Sequence, residues 1–153
     1  MTHALRVLDG HGIAYTCHEY RYVDHGGTSE AARQLGVDEH TIIKTLVFGE
    51  TSRTPVLMLM HGDADVSAKA LARALGARSI APCTEAVAER ATGYQVGGIS
   101  PFGTRQTLPV YVEASILDLP RAFINGGRRG LLVALSPAAL LNVLNATPVH
   151  ARA

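Results

Sequence analysis

Cysteine is scarce in this chain of 153 residues: Cys17 and Cys83 lie far apart and belong to no CxxC pair. That spacing gives no support to a cysteine-built zinc site or a dithiol redox motif. Excess charge is missing too, with a formal net charge of +1 and only 18% charged residues. A balance so near zero excludes a strongly basic nucleic-acid binder and an acidic tail, so any polynucleotide contact must come from a local patch. No apolar run approaches the length of a membrane span. The opening "MTHALRVLDGHG" has no charged region followed by an apolar stretch and a cleavage site. These absences lead to the expectation of a soluble, cytoplasmic protein without a membrane partner. No repeat, low-complexity tract or linker divides the chain, so a single domain over residues 1–153 is expected. Hydrophobic residues make up 47%, enough for a core that needs no disulfide or metal staple.

What the chain does have is an alternation of helical and extended patterns. Residues 2–11 carry Leu5, Val7 and Leu8 on one side and run into Gly10 and Gly12, a short helix with its stop. Residues 13–20 alternate as a strand, "RYVDHGG" is a loop, and Ser29 is the expected cap of a helix over "EAARQL" that Gly36 ends. The runs 41–48 and 55–60, joined by "GETSRT", form a hairpin whose second strand is apolar on both faces and therefore central. Helices follow over 67–76 and 84–93, the latter with Thr84 as its cap. Strands are then expected at "LPVYVE", "RAFIN" and "LLVAL", and a last helix at "SPAALLNVL" with Ser136 capping and Pro137 in its first turn. The expected fold class is α+β: a mixed, largely antiparallel, barrel-like sheet surrounded by helices, closed into a barrel or not.

Three places carry possible chemistry. Lys44 shares strand parity with Ile42, Leu46 and Phe48, so its ammonium points the same way as core-forming side chains. It is either a lysine snorkelling to the rim or a half-buried cation with an anionic or carbonyl partner. The stretch "YQVGGISPFG", residues 94–103, clears the backbone of side chains around Ser100. Its segment 97–101 offers either a wide turn or fixed N–H donors for a carbonyl oxygen or oxyanion. It matches neither GxGxxG nor GxxxxGK[ST], so phosphate-loop chemistry is not supported. "NGGRRG", residues 125–130, reads as a tight hairpin turn with two exposed arginines; Arg128, Arg129 and Arg105 are candidate phosphate contacts. The seven histidines form no HxH or HExxH pattern, so surface positions and no metal site are expected. Ser100 has no GxSxG elbow around it and no specified base, which argues against a serine nucleophile.

Taken together, "LGV" and "IIKTLV" with Lys44, "ALGA" at 74–77, "ATGYQVGGISPFG" at 91–103 and "INGGRRGLLVALSPAAL" at 124–140 resemble the YbaK family. That family is related to the editing domain inserted in bacterial prolyl-tRNA synthetases, and the likeness covers nearly the whole chain. The resemblance implies a mixed β-barrel decorated with helices and hydrolysis of tRNA charged with the wrong amino acid. Cys-tRNA(Pro), or Ala, Ser or Thr on tRNA, is the implied substrate. It places Lys44 and Gly97 in the catalytic role. Tyr20, Gly98, Ile99, Ser100, Pro101, Gly127 and Arg129 are then expected to bind substrate, with the loop Gly97–Pro101 holding the ester region through its backbone. No protein nucleophile, metal or cofactor is implied. The substrate's own side chain or a ribose hydroxyl assists, and cysteine can attack its own ester through the thiol, which would make the reaction formally that of a lyase. The implied partners are the acceptor end of mischarged aminoacyl-tRNA and a prolyl-tRNA synthetase, with no DNA. Two positions depart from the cysteine-specific pattern: Gly27 stands in place of an aromatic and Leu132 in place of an acidic residue. A non-catalytic tRNA- or synthetase-binding module of the same fold is the alternative.

Overall fold

Side-chain caps at helix starts and left-handed residues at helix ends set most of the helix boundaries. A computed structural model describes residues 1–50 and 53–153. In α1, His3–Gly10, Thr2 Oγ1 accepts the Leu5 amide, one of the donors that a helix start leaves unpaired. Strand β1 is Tyr15–Glu19. Helix α2, Gly27–Leu35, begins three residues earlier than a cap at Ser29 would place it. Gly26 stands at its N-cap without a side-chain bond, and Ser29 Oγ instead donates back to Gly26 O at 3.3 Å, inside the first turn. Its end is as expected, with Gly36 at φ 68°.

After a 3-10 turn, Glu39–Thr41, come β2, Ile42–Gly49, and β3, Val56–His61. The turn expected between them includes Thr51 and Ser52, which lie outside the described residues. Helix α3, Ala68–Leu75, is capped by Ser67 and ended by Gly76. A two-residue strand, β4 (Ala81–Pro82), precedes α4, Glu85–Thr92, which Thr84 caps as expected. The remaining elements are β5 (Val110–Glu113), a second 3-10 turn (Ala114–Asp118), β6 (Ala122–Asn125), β7 (Leu131–Leu135), α5 (Ala138–Leu144) and β8 (Thr147–Val149). At α5 the N-cap residue is Pro137, while Ser136 Oγ accepts the Ala138 amide at 3.3 Å.

The strands form one mixed sheet with the order β1-β7-β6-β2-β3-β5-β8, and β4 pairs with β2. The β1–β7, β6–β7, β2–β3 and β2–β4 pairs are antiparallel, and β2–β6, β3–β5 and β5–β8 are parallel. This is the expected mixed α+β architecture. The hydrogen-bonded path runs open from β1 to β8 rather than closing on itself. Strand β3 is buried along its whole length between β2 and β5, as its two apolar faces require. Among the described residues no helix is long and apolar enough to cross a membrane.

Candidate active site

Strand β2 borders three groups of core side chains, and Lys44 sits where two of them part. Ile42 packs beside α2 with Ala31, Phe123 and Leu132, whereas Leu46 and Phe48 pack with Met58, Met60 and Leu71 beside α3. On the alternate parity, Ile43 and Val47 enter the main core. Lys44 therefore has the parity of core residues and no core group of its own, which lets its stem remain half buried while the ammonium emerges. Its Nζ donates to Ala64 O at 2.6 Å and lies 3.9 Å from the exposed Asp65 carboxylate. One donor is thus committed, and an ammonium carries two more.

Lys44 lines a cleft of about 750 Å³. Residues of β2 contribute to its surface, together with the 20–31 segment, Cys83, Glu85, Ala88 and Glu89 around α4, and the glycine loop with Asn125, Arg129 and Leu132. Thr45 is also in the lining, and its buried Oγ1 has no hydrogen-bond partner among the described residues.

The glycine loop stands against the β6–β7 turn through several specific contacts. Glu89 accepts the Val96 amide at 2.8 Å, and Arg129 Nε donates to Val96 O at 2.9 Å. Asn125 Nδ2 donates to Gly97 O at 3.4 Å while its Oδ1 accepts the Gly127 amide at 2.7 Å, so one side chain ties loop and turn together. Gly98 approaches the turn most closely. A Cβ there would fall 2.7 Å from Arg129 N and 2.8 Å from Arg128 C, so only glycine permits these backbones to meet. At Gly97, φ is +92°, and a Cβ would lie 2.7 Å from Tyr22 Oη and 3.1 Å from Arg129 Nε. The space cleared at Gly97 is occupied by side chains of the same protein.

Of the residues expected to act together, the cleft surface includes Tyr20, Lys44, Gly97, Ile99 and Arg129. Gly98 lies behind them against the turn. Ser100 and Pro101 are buried, and Ser100 Oγ accepts the Phe102 amide at 3.1 Å, a turn-forming bond. Gly127 faces Thr2 and Tyr94, away from the cleft lining. The two arginines of the turn differ: Arg128 is exposed and paired with Glu19 at 2.9 Å, whereas Arg129 is half buried, contrary to the expectation that both are exposed. Arg105 packs near Gly93 at the end of α4. Burial raises the Tyr20 pKa, helped by neighbouring Tyr22, and burial likewise raises that of the Cys83 thiol. Both groups are held in their protonated forms at neutral pH.

Sequence reasoning missed Tyr22, Thr45, Glu89 and Asn125. Only Asn125 left a local signal, an asparagine immediately before a Gly-Gly turn. The expectation of surface histidines fails at His61, which is fully buried. His61, His40 and Asp63 bring one potential ligand atom each within 4.8 Å of one another. The His61 nitrogens face His40 O at 2.7 Å and Ser115 Oγ at 2.8 Å, and the His40 ring is stacked on it with 3.7 Å between centroids. Both His61 nitrogens therefore have protein partners, an arrangement suited to a hydrogen-bonded network.

The aminoacyl-tRNA editing domain family matches residues 25–143, from the start of α2 into α5. The chain belongs to that family. A candidate Cys-tRNA(Pro)/Cys-tRNA(Cys) deacylase of Enterococcus faecalis, EbsC, is 30% identical over 145 residues, covering 94% of this chain and 88% of its own. A proline–tRNA ligase of Streptococcus equi subsp. zooepidemicus is 31% identical over 101 residues, 66% of this chain but only 16% of the ligase. The crystal structure of a candidate trans-editing enzyme for prolyl tRNA synthetase superposes with a TM-score of 0.83 at 24% identity, covering 100% of this chain and 99% of that one. At that identity the structural likeness shows the fold alone. The YbaK-type resemblance drawn from the glycine loop and the GGRRG turn thus corresponds to an editing-domain relationship. Within this editing domain the two departing positions, Gly27 and Leu132, both line the cleft. A Cβ at Gly27 would meet open space, and Leu132 packs with Ile42 and Ala31, so these two positions add neither a ring nor a charge to a lining that also holds Asp24 and Glu30.

Proposed function

We propose that this editing domain, spanning residues 1–153, is a trans-editing deacylase that hydrolyses the ester linking a mischarged amino acid to the terminal ribose of tRNA. The observation that carries the reading is the shared cleft of Lys44 and the glycine loop, with Tyr20 in the same lining. An ester hydrolysis needs charge stabilisation at the carbonyl oxygen and a held substrate more than it needs a strong base. The remaining Lys44 donors and the loop amides at Gly97 and Ile99 are suited to that oxygen. Gly98 is excluded from this role, because its amide already bonds Gln95 O at 2.8 Å.

Ser100 is buried in the turn, and Cys83 and Tyr20 are held protonated. The family resemblance implies no protein nucleophile, which leaves a water or a group of the substrate to attack. Water adds to the carbonyl carbon, the C–O bond to the ribose breaks, and the ribose oxygen takes the proton. With a cysteinyl ester the substrate thiol can attack instead, closing a thiolactone as the same C–O bond breaks. The apolar surface at Leu132 favours a neutral side chain, and we take cysteine, alanine, serine or threonine as the candidates. A pocket of this type discriminates weakly between small side chains. Similarity to part of a proline–tRNA ligase supports tRNA(Pro) as the carrier, with that synthetase as a partner. The test is a panel of Cys-, Ala-, Ser- and Thr-tRNA, each on tRNA(Pro) and on one cognate tRNA. Faster release of at least one of the four than in buffer is expected; no release from any would overturn the reading.

A further inference from the structure

Arg129 and Tyr22 form an arrangement that the deacylation chemistry leaves unused. The Arg129 guanidinium lies over the Tyr22 ring with its Cζ 4.7 Å from the centroid, and its Nε donates to Val96 O at 2.9 Å. Backbone and ring therefore fix the orientation of the fork before any ligand arrives. Both residues line the cleft and both are half buried.

The other cations of this region have acidic neighbours. Arg128 pairs with Glu19, and Lys44 is within ion-pair distance of Asp65. Among the described residues Arg129 has no carboxylate partner. A preorganised, partly desolvated guanidinium without an anion, facing a cleft, is suited to receive one from outside. Its free Nη groups form a planar fork that matches two phosphate oxygens.

We propose that Arg129 is the cleft's phosphate ligand, binding a phosphodiester at the single-stranded 3′ end of the RNA, and that Tyr22 is the residue that positions it. This rests on the RNA-substrate reading above. Gly97 is then a glycine because the Tyr22–Arg129 pair fills its side-chain space. The adjacent Arg128, already neutralised by Glu19, contributes little.

The test uses binding rather than turnover. The probe is an uncharged, fluorescently labelled RNA hairpin ending in a single-stranded CCA, titrated over a range of salt concentrations. Arg129→Gln should weaken binding and reduce the log–log salt slope by about 0.7, the value for one phosphate contact on a single strand. Arg129→Lys, which keeps the charge without the fork or its ring stacking, should largely retain the slope but bind less tightly. Tyr22→Ala should weaken binding at least two- to five-fold, the range for a solvent-exposed cation–π contact and a lower bound for this half-buried one, with a cost of roughly 0.5–1 kcal/mol or more, and Tyr22→Phe should restore it. Thermal melting of each variant checks folding; should Arg129→Gln fail to fold, Arg129→Lys and the Tyr22 pair decide. A wild-type protein that binds the hairpin with affinity and slope unmoved by these variants would overturn the Arg129 assignment alone. A wild-type protein that does not bind the hairpin would overturn the RNA reading and this inference with it.

Discussion

Gly98→Ala isolates the contact that holds the glycine loop to the β6–β7 turn. The added methyl would sit 2.7 Å from Arg129 N, 2.8 Å from Arg128 C and 3.0 Å from Arg128 Cα. Ordinary nonbonded contact begins at about 3.5 Å, so the two backbones must part by roughly 0.8 Å. All three neighbours are main-chain atoms and cannot swing aside. Overpacking of this kind costs about 1–3 kcal/mol, and each kcal/mol lowers the Tm of a domain this long by roughly 2–4 °C. The same displacement pulls on Arg129 Nε–Val96 O and Asn125 Nδ2–Gly97 O, which orient the loop. A misplacement approaching 1 Å can cost on the order of 10²-fold in rate. Differential scanning calorimetry and single-turnover deacylation read the two effects. Gly97→Ala is the contrast, because its close neighbours are the tips of Tyr22 and Arg129, so its cost comes more from a positive φ than from collision with backbone. A Gly98→Ala protein with wild-type Tm and wild-type rate would refute the reasoning.

Ser100→Ala should leave the Phe102 amide without its acceptor, cost about 1–3 kcal/mol in urea unfolding, and keep substantial deacylation per folded molecule; a folded, inactive variant with a trapped acyl-serine in the wild type would contradict this. Burial holds the His61 pKa below its ordinary 6.5, so on acidification the unfolded chain takes up this proton first. The associated stability is present above about pH 6.5 and is lost as the pH falls through the folded-state pKa, at a slope of no more than about 1.4 kcal/mol per pH unit. Urea midpoints between pH 7.5 and 5 should therefore fall more steeply for wild type than for His61→Gln, and parallel slopes would rule the effect out. Dialysis against EDTA should change neither Tm nor deacylation, since both His61 nitrogens already have protein partners; a loss restored by one divalent ion would identify the His40–His61–Asp63 group as a metal centre.

The features legible in the sequence are those set by local chemistry. Thr84 caps α4, Gly36 ends α2 at positive φ, and the Gly-Gly before Arg128 makes the β6–β7 turn. The apolar run of β3 announces a central strand because burial on both faces leaves no polar alternation. Strand parity was enough to single out Lys44, but not to find Ala64 O, which lies 20 residues further along the chain. Two partners of the glycine loop also lie far off in sequence: Tyr22 and Asn125 meet it only after the sheet assembles, whereas Glu89 is seven residues before Val96 on α4 and carries no pattern of its own. Ser29 shows the limit of cap rules, since a glycine at 26 lets α2 start before the serine that would otherwise cap it. His61 shows the limit of composition, because nothing about an isolated histidine signals that Ser115 and a backbone carbonyl will satisfy it in the interior.

The central claim is that Lys44 stabilises charge at the ester carbonyl in the cleft it shares with the glycine loop. The most direct measurement is single-turnover hydrolysis of the panel's best mischarged tRNA by wild type and Lys44→Ala, at enzyme concentrations that saturate the RNA. Losing a preorganised charge donor costs about 3–4 kcal/mol of transition-state stabilisation, or roughly 10²–10³ in rate. Lys44→Ala should show a fall of that size with RNA affinity close to wild type and a Tm lowered only by the loss of the Nζ–Ala64 O bond, about 0.5–1.5 kcal/mol; a folded Lys44→Ala protein that hydrolyses the ester at the wild-type rate would contradict this role.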